Sequence, residues 1–420
     1  MADRDGTRRR WIVAGLVVAT VVIVWLAETR NHFFDSRVYY GAMRYWFVEH
    51  GMVYDWLRPT TPYGFTYPPF AGLVMAPMAF LPLWAVILIA SVATVLSTAL
   101  VVWWLTGPLI RRSGRPVWFA LAVATCLAVA FEPVRETLTF GQVNTLLLAL
   151  VAGDVLHGVA RGRRWAGVGI GLATAIKLTP GIFILYLVVT GRWRAAATAV
   201  GTAGAVTVLA GAVAPDESRE FWTSALWNTD RVGALYYVSN QSLRGMLARL
   251  PLDDYASVLW PAMVLATLGY GAWRARAAVR AGDEVAGLAV TGIVGALISP
   301  VSWVHHLVWV LPAVVRCVDA GLSAPPGTRA RRLWYLGATA YVLMTSRLLW
   351  LWEHGPRPPL HIIGGNLHVW VSLALLVLMP VCPGGQPTGT PHLSLPRRKP
   401  PAAETAAPDT PAGEAATATR

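Results

Sequence analysis

Long apolar runs recur along almost the whole chain, beginning with "WIVAGLVVATVVIVWLA" (Trp11–Ala27), and they limit the fold more than any other feature. A run of roughly 17–25 apolar residues crosses a ~30 Å hydrocarbon core as a helix, which satisfies its own backbone N–H and C=O groups without water. Of the 420 residues, 55% are hydrophobic and only 14% charged, whereas charged residues make up about 25% of soluble domains. The fold class expected is all-α, a polytopic membrane protein with about twelve transmembrane helices.

Charge then sets topology. A formal net charge of +13 would suit a nucleic-acid partner, but no basic face is interleaved with recognition elements, so none is expected. The arginines sit in short loops between apolar runs: "RRSGR" (Arg111–Arg115), "RGRR" (Arg161–Arg164), "GRWR" (Gly191–Arg194), "WRARAAVR" (Trp273–Arg280) and "GTRARR" (Gly327–Arg332). The positive-inside bias puts all five in the cytoplasm. That needs 66–105 to be one crossing plus an interfacial piece, and 166–190 to be two short helices turning outside at "KLTP". The rival assignment makes the first region a hairpin and the second a single span, with "RRSGR" and "RGRR" outside.

Residues 1–10 form a cytoplasmic N-terminus ahead of an uncleaved signal-anchor helix. Trp11–Ala27 exceeds the usual apolar core of a signal peptide, roughly 7–15 residues, and no small-residue cleavage pattern follows it. The membrane domain runs over 11–382, with a first extracytoplasmic loop at 28–66 and a long one at 215–254. Residues 383–420, rich in Pro, Ala and Thr, have no apolar periodicity and are expected to be a disordered cytoplasmic tail. Cys126, Cys317 and Cys382 lie in or at the end of apolar runs and suggest neither a disulfide framework nor a metal site.

With the arginines inside, the polar groups capable of chemistry collect at the outer face. Asp35, in "FFDSRVYY", follows the first span among aromatics; desolvation there raises its pKa and makes it a better proton acceptor. Arg37 either opposes that shift or holds a phosphate, and the plain alternative is an interfacial ion pair of Asp35 with Arg37 or Arg44. His305 and His306, in "SPVSWVHHLVWV", open an apolar run. Adjacent helical positions diverge by roughly 100°, so one ring is expected to face a ligand while the other packs. The helical i, i+4 ligand pair of a zinc site is missing, so no metal is expected. Lys177, in "AIKLTPG", interrupts an apolar segment and must reach water or an anion. Gln142 and Asn144, in "FGQVN", suit sugar hydroxyls or, equally, the open backbone groups of a helix end. Asn240, Gln241 and Arg244, in "NQSLRG", combine two amides with a cation; "NQS" is also a glycosylation sequon, a pattern frequent by chance. One base, several cations and several amides on one face make a site for an anionic, hydroxyl-rich substrate.

Taken in order, "FFDSRVYY", "FTYPPFAGLVMAPMAFLP", "FGQVNTLLL", "GVGIGLATAIKLTPGIF", "NQSLRG" and "SPVSWVHHLVW" resemble the actinobacterial polyprenol-phosphate-mannose-dependent α-(1→2)-mannosyltransferases. These are GT87-like membrane glycosyltransferases of the GT-C type, and the resemblance covers most of the chain, from about Phe33 to Val310. It implies a mannosyl donor on a polyprenyl phosphate, used outside the cytoplasmic membrane. The acceptors would be phosphatidylinositol mannosides, lipomannan or lipoarabinomannan, with no cofactor and no metal required. It puts Asp35 at the family's catalytic aspartate and His305 and His306 on its "HH" element. Asp35 would then deprotonate an acceptor hydroxyl that attacks a β-linked mannosyl phosphate with inversion. Arg37, Lys177, Arg244 and one histidine would absorb the charge of the departing phosphate. A transferase using polyprenol-phosphate arabinose or glucose is one rival. A flippase or transporter for a lipid-linked sugar is another; it needs polar residues through the middle of the spans, where Asp154 is the awkward exception.

Overall fold

The computed structural model describes residues 2–228, 232–250, 252–353 and 360–382. The expected tail at 383–420 lies outside the described residues, as does part of the 215–254 loop. The described residues are almost wholly helical and contain no β-strand, only two isolated bridges. Five helices are long and apolar enough to cross a membrane, and a pair bent by 72° makes a sixth. The expected total of about twelve crossings would require the shorter apolar helices to cross as well.

Helix α1 (Ala2–Asn31) carries the first apolar run and stops at His32 and Phe33, whose φ angles are 50° and 49°. Two consecutive left-handed residues cannot propagate a right-handed helix, so the chain turns into α2 (Phe34–Phe47). The Phe33 N–H donates to the Thr139 carbonyl at 3.0 Å and pins the turn. Helix α2 buries Ser36, Val38, Tyr39, Ala42 and Met43, leaving Asp35 in its first turn at the edge. A short α3 (Pro69–Met75) precedes α4 (Leu83–Arg112), a single 30-residue helix that begins directly after Pro82. Region 66–105 is thus the start of one long helix plus a short piece, as the first assignment requires.

Helix α5 (Val117–Ala130) bends through Phe131 into α6 (Glu132–Phe140). Pro133, in the first turn of α6, has no N–H with which to continue the α5 ladder. The segment reads as a polar loop in sequence, yet α6 is buried from Glu132 to Thr139 and packs against the 3-10 turn Val304–Val310.

Helix α7 (Asn144–Gly153) continues as a π-helical stretch, Asp154–Val159. The Asp154 carboxylate accepts the backbone N–H of Gly167 and Ile170 at 2.9–3.0 Å, where α8 (Val168–Ile176) begins. A carboxylate capping a helix N-terminus is structural, and the residue that best fitted a transport path is accounted for. Helix α8 lies close against Trp193–Val213: a Cβ on Gly171 would be 2.5 Å from the Ala199 carbonyl. In lipid, helices gain no hydrophobic drive toward each other, so close backbone contact through small residues holds them. Helix α8 ends at Lys177 in extended conformation, and a 3-10 turn containing Pro180 starts α9 (Ile182–Val189). This is the pair of short helices turning at "KLTP".

Arginine contacts gather the basic loops at one end of the bundle. Arg194 donates to the carbonyls of Gly162 and Arg163 at 2.9 and 3.0 Å, so "RGRR" and "GRWR" lie together, which the rival assignment forbids. Arg276 donates to Val189 O at 2.6 Å, and Arg192 pairs with Glu284. Arg316 bridges Asp283 (2.7 Å) and Asp319 (2.9 Å), and Asp319 pairs with Arg112 of "RRSGR".

Candidate active site

At the other end, a cavity of about 530 Å³ is lined by Asp35, Gln142, Lys177, His305 and His306. These five come from widely separated motifs, and the volume is within the ~300–1,000 Å³ common for ligand sites. Its aromatic walls include Phe34, Tyr63, Trp303 and Trp350.

Local structure explains the convergence. Asp35 sits in the first turn of α2. Gly141 ends α6 at φ 73°, and a Cβ there would lie 1.8 Å from Ser36 Oγ, so a glycine lets α6 and α2 touch. That contact brings the next residue, Gln142, to Asp35: its Nε2 donates to Asp35 Oδ2 at 2.8 Å. Gln142 Oε1 accepts from the Tyr67 hydroxyl at 2.6 Å, and that hydroxyl accepts from Tyr39 at 2.9 Å and from Lys177 Nζ at 3.2 Å. Lys177 also donates to Asn144 Oδ1 at 3.0 Å and lies 3.1 Å from His306 Nε2. Asn144 opens α7 and donates to the His305 carbonyl at 3.0 Å.

Burial pushes the Asp35 carboxyl up from 3.8 to about 6, against the opposing pull of the Gln142 hydrogen bond, Lys177 and Arg58. Lys177, in the turn between α8 and α9, is pushed down from 10.5 to about 7 by burial, with Asp35 resisting. A carboxylate poised near neutrality with a free face on a cavity is suited to general-base work.

Both histidines line the cavity, where only one ring was expected to face it. The His305 carbonyl accepts from Thr137 Oγ1 at 3.1 Å as well as from Asn144, which holds the turn at the junction of α6 and α7. The two rings meet edge to face with centroids 4.7 Å apart.

Four other expected residues are placed elsewhere. Arg37 is exposed and donates to the His32 carbonyl at 2.9 Å. Asn240 is fully buried: its Nδ2 serves Leu235 O and Pro300 O, and its Oδ1 takes the Ser302 N–H. An amide so enclosed does not act as a glycosylation acceptor. Gln241 is engaged in the same way by Val238 O, Gly365 O and the N–H groups of His368 and Val369. Arg244 donates to Ala256 O at 3.2 Å and stands 5.6 Å from the Trp260 ring. The amides of "NQSLRG" tie separate loops together because buried polar groups take the nearest backbone partners.

Tyr39, Tyr67, Arg58 and Glu136 are site residues that sequence reasoning missed. Arg58 lies 4.2 Å over the Phe34 ring, with a buried Nη1 that has no hydrogen bond among the described residues. Glu136 lines the cavity and accepts from Asn31 Nδ2 at 2.9 Å. Tyr67 was within reach, since "FTYPPF" puts a tyrosine before two prolines; Arg58 and Glu136 carried no signal beyond their charge. Among the described residues, no group of three His, Cys, Asp or Glu is arranged to hold a metal ion.

A polyprenol-phosphate-mannose-dependent alpha-(1-2)-phosphatidylinositol mannoside mannosyltransferase of Mycobacterium tuberculosis is 32% identical over 88% of this chain and 89% of its own length. The corresponding pentamannoside mannosyltransferase of Mycolicibacterium smegmatis is 31% identical over 86% of this chain and 88% of its own. An alpha-(1->3)-arabinofuranosyltransferase of Corynebacterium glutamicum is 28% identical over a smaller share, 61% of this chain and 60% of its own. Residues 65–300 match glycosyltransferase family 87. The segment contains Tyr67, Gln142, Asn144 and Lys177, and this chain belongs to glycosyltransferase family 87.

Proposed function

We propose that this glycosyltransferase moves mannose from a polyprenyl-phosphate-mannose donor to a mannosylated lipid or glycan acceptor, forming an α-(1→2) linkage with inversion. The acceptor class is phosphatidylinositol mannoside, lipomannan or lipoarabinomannan. The strongest support is Asp35, a carboxyl raised to about 6 in the wall of the cavity it shares with Lys177 and His306. The names of the M. tuberculosis and M. smegmatis relatives supply the sugar, the lipid carrier and the acceptor.

Asp35 takes the proton of an acceptor hydroxyl as that oxygen bonds to the anomeric carbon. The bond from that carbon to the phosphate oxygen breaks, and the phosphate leaves with the electron pair. An inverting glycosidase needs a second carboxyl to protonate its leaving group; a phosphate needs only positive charge nearby. Lys177 and Arg58, whose charges both act on Asp35, supply it, with His306 beside Lys177. The reaction so written needs no metal and no cofactor. The cavity opens outside the plasma membrane and the arginine loops lie in the cytoplasm, as the positive-inside bias favours.

The test is transfer by the purified protein in detergent, with short-chain polyprenyl-phosphate mannose and arabinose donors in parallel and linkage analysis of the product. Mannosyl transfer with an α-(1→2) linkage is expected, and Asp35→Asn should lose about 10²–10⁴-fold in rate while still binding donor. Arabinose transfer alone would overturn the sugar assignment, and turnover above about a tenth of wild type in Asp35→Asn would overturn the base. A flippase transfers nothing in detergent.

A further inference from the structure

The hydrogen bonds around Asp35 have a direction, and it starts at a backbone carbonyl. The His305 carbonyl can only accept, so Asn144 turns its Nδ2 there and leaves its Oδ1 toward Lys177. A charged lysine only donates, so below about pH 7, where Lys177 keeps its proton, its Nζ donates to the Tyr67 hydroxyl at 3.2 Å while Tyr39 donates to it at 2.9 Å. With both acceptor positions of that oxygen filled, its proton goes to Gln142 Oε1 at 2.6 Å. The amide is thereby fixed with Nε2 on Asp35 Oδ2 at 2.8 Å. The other oxygen, Asp35 Oδ1, has no hydrogen bond among the described residues, and Asp35 lines the cavity.

We propose that Tyr67 is a positioning residue that passes the donor direction set by Asn144 and Lys177 to the Gln142 amide. Oδ2 of Asp35 is then held as an acceptor, and Oδ1 is the oxygen that receives the proton in transfer. This rests on Asp35 being the base. The reverse order, with Gln142 Oε1 facing Asp35, needs a protonated carboxyl, and Tyr67 opposes it. In the productive step the acceptor's hydroxyl proton goes to Oδ1 while the carbon–oxygen bond to the acceptor forms. The bond to phosphate breaks, and its electron pair stays on the phosphate.

The charged and titratable groups around Asp35 are Lys177 at the end of α8, Arg58 in the 48–66 loop, and Tyr39 on α2 itself. Glu136, His305, His306, Tyr63 and Tyr237 are the other titratable groups in the cavity wall. Tyr67→Phe leaves all of these in place and removes one neutral hydroxyl. Losing a hydrogen bond that favours the ionised form raises a pKa.

Infrared titration of the carboxyl band, assigned by its absence in Asp35→Asn, reads Asp35 without turnover. Tyr67→Phe is expected to move its midpoint up by about half to one pH unit. The variant should also lower kcat about 10–30-fold while donor KM stays within about threefold. Tyr39→Phe, which leaves the Tyr67–Gln142 bond intact, should give under about a third of that shift. Gln142→Leu should shift the band the same way, and adding Tyr67→Phe to it should shift it no further, because the two act in series. An unmoved midpoint in Tyr67→Phe, equal shifts in Tyr67→Phe and Tyr39→Phe, or additive shifts in the double variant would overturn the proposal. A shifted band in a protein that transfers no mannose sinks the assigned reaction and leaves the positioning role standing.

Discussion

Asp35 is half-buried, and its burial outweighs the three influences that favour its ionised form. A base with a raised pKa becomes competent as pH climbs through that value. The kcat/KM for acceptor is therefore expected to rise through about pH 6. Lys177 loses its charge as pH rises through about 7, so positive charge beside the leaving phosphate declines on the alkaline side. The profile should be a narrow bell, its two limbs belonging to the coupled pair rather than to either residue alone. Lys177→Met should erase the alkaline limb and move the acid limb upward, since Lys177 lowers the Asp35 pKa. A pH–rate series on both proteins checks this, and an acid limb near pH 4 in wild type would contradict it. At this scale the sequence was informative where a polar residue interrupted an apolar run or opened a span, as for Asp35, Gln142 and Lys177. It misled at Asn240 and Gln241, whose chemistry matches that of Gln142. Two of their partners, Pro300 and Gly365, lie 60 and 124 positions away along the chain, beyond the reach of any local pattern.

Two helix ends place the base and its amide. Helix α2 starts where His32 and Phe33 break α1, and α6 ends where Gly141 adopts a left-handed backbone. The contact between those ends gives the distance from Asp35 to Gln142. Gly141→Ala adds a methyl that meets Ser36 Oγ at 1.8 Å and Ser36 Cβ at 2.7 Å, and it holds an L side chain at a φ that costs roughly 1–2 kcal/mol. Rotating Ser36 relieves the hydroxyl clash but not the contact with its Cβ, so α6 and α2 must part and Gln142 must leave Asp35. A loss of at least about tenfold in kcat is expected, with a lower unfolding temperature in detergent. Combining it with Ser36→Gly should restore part of the activity by removing the clash but not the backbone cost. Equal activity of the single and double variants would show that this contact does not set the site. Helix α6 itself was not legible as a buried element. Its Glu132, Arg135 and Glu136 look like loop charges, yet they are under 3% exposed; Trp350 and Asn31, from distant parts of the chain, answer Glu132 and Glu136, and Arg135 pairs with Glu132.

Among the described residues, the arginine loops gather at one end of the bundle and the cavity lies at the other, with Lys177 and Arg58 as its own cations. The grouping of the loops was readable from where the arginines fall. Hydropathy alone left two pairings of 66–105 and 166–190. The bonds from Arg194 to Gly162 and Arg163 choose between them, because a loop cannot reach across the bilayer to its neighbour. The number of crossings was less legible, since α6, α8 and α9 are short, bent or broken helices that hydropathy blurs into longer runs. Sidedness follows from charge: Lys and Arg resist translocation, so the arginine end is expected in the cytoplasm and the cavity end outside. Single cysteines can report this in a background where Cys126, Cys317 and Cys382 are replaced. Asp55→Cys lies in the exposed loop beside the site and Arg115→Cys in an exposed arginine loop. A membrane-impermeant maleimide applied to intact cells should label Asp55→Cys at once and Arg115→Cys only after permeabilisation. The opposite pattern would put Asp35 in the cytosol, where a lipid-linked donor presented at the outer surface never reaches it.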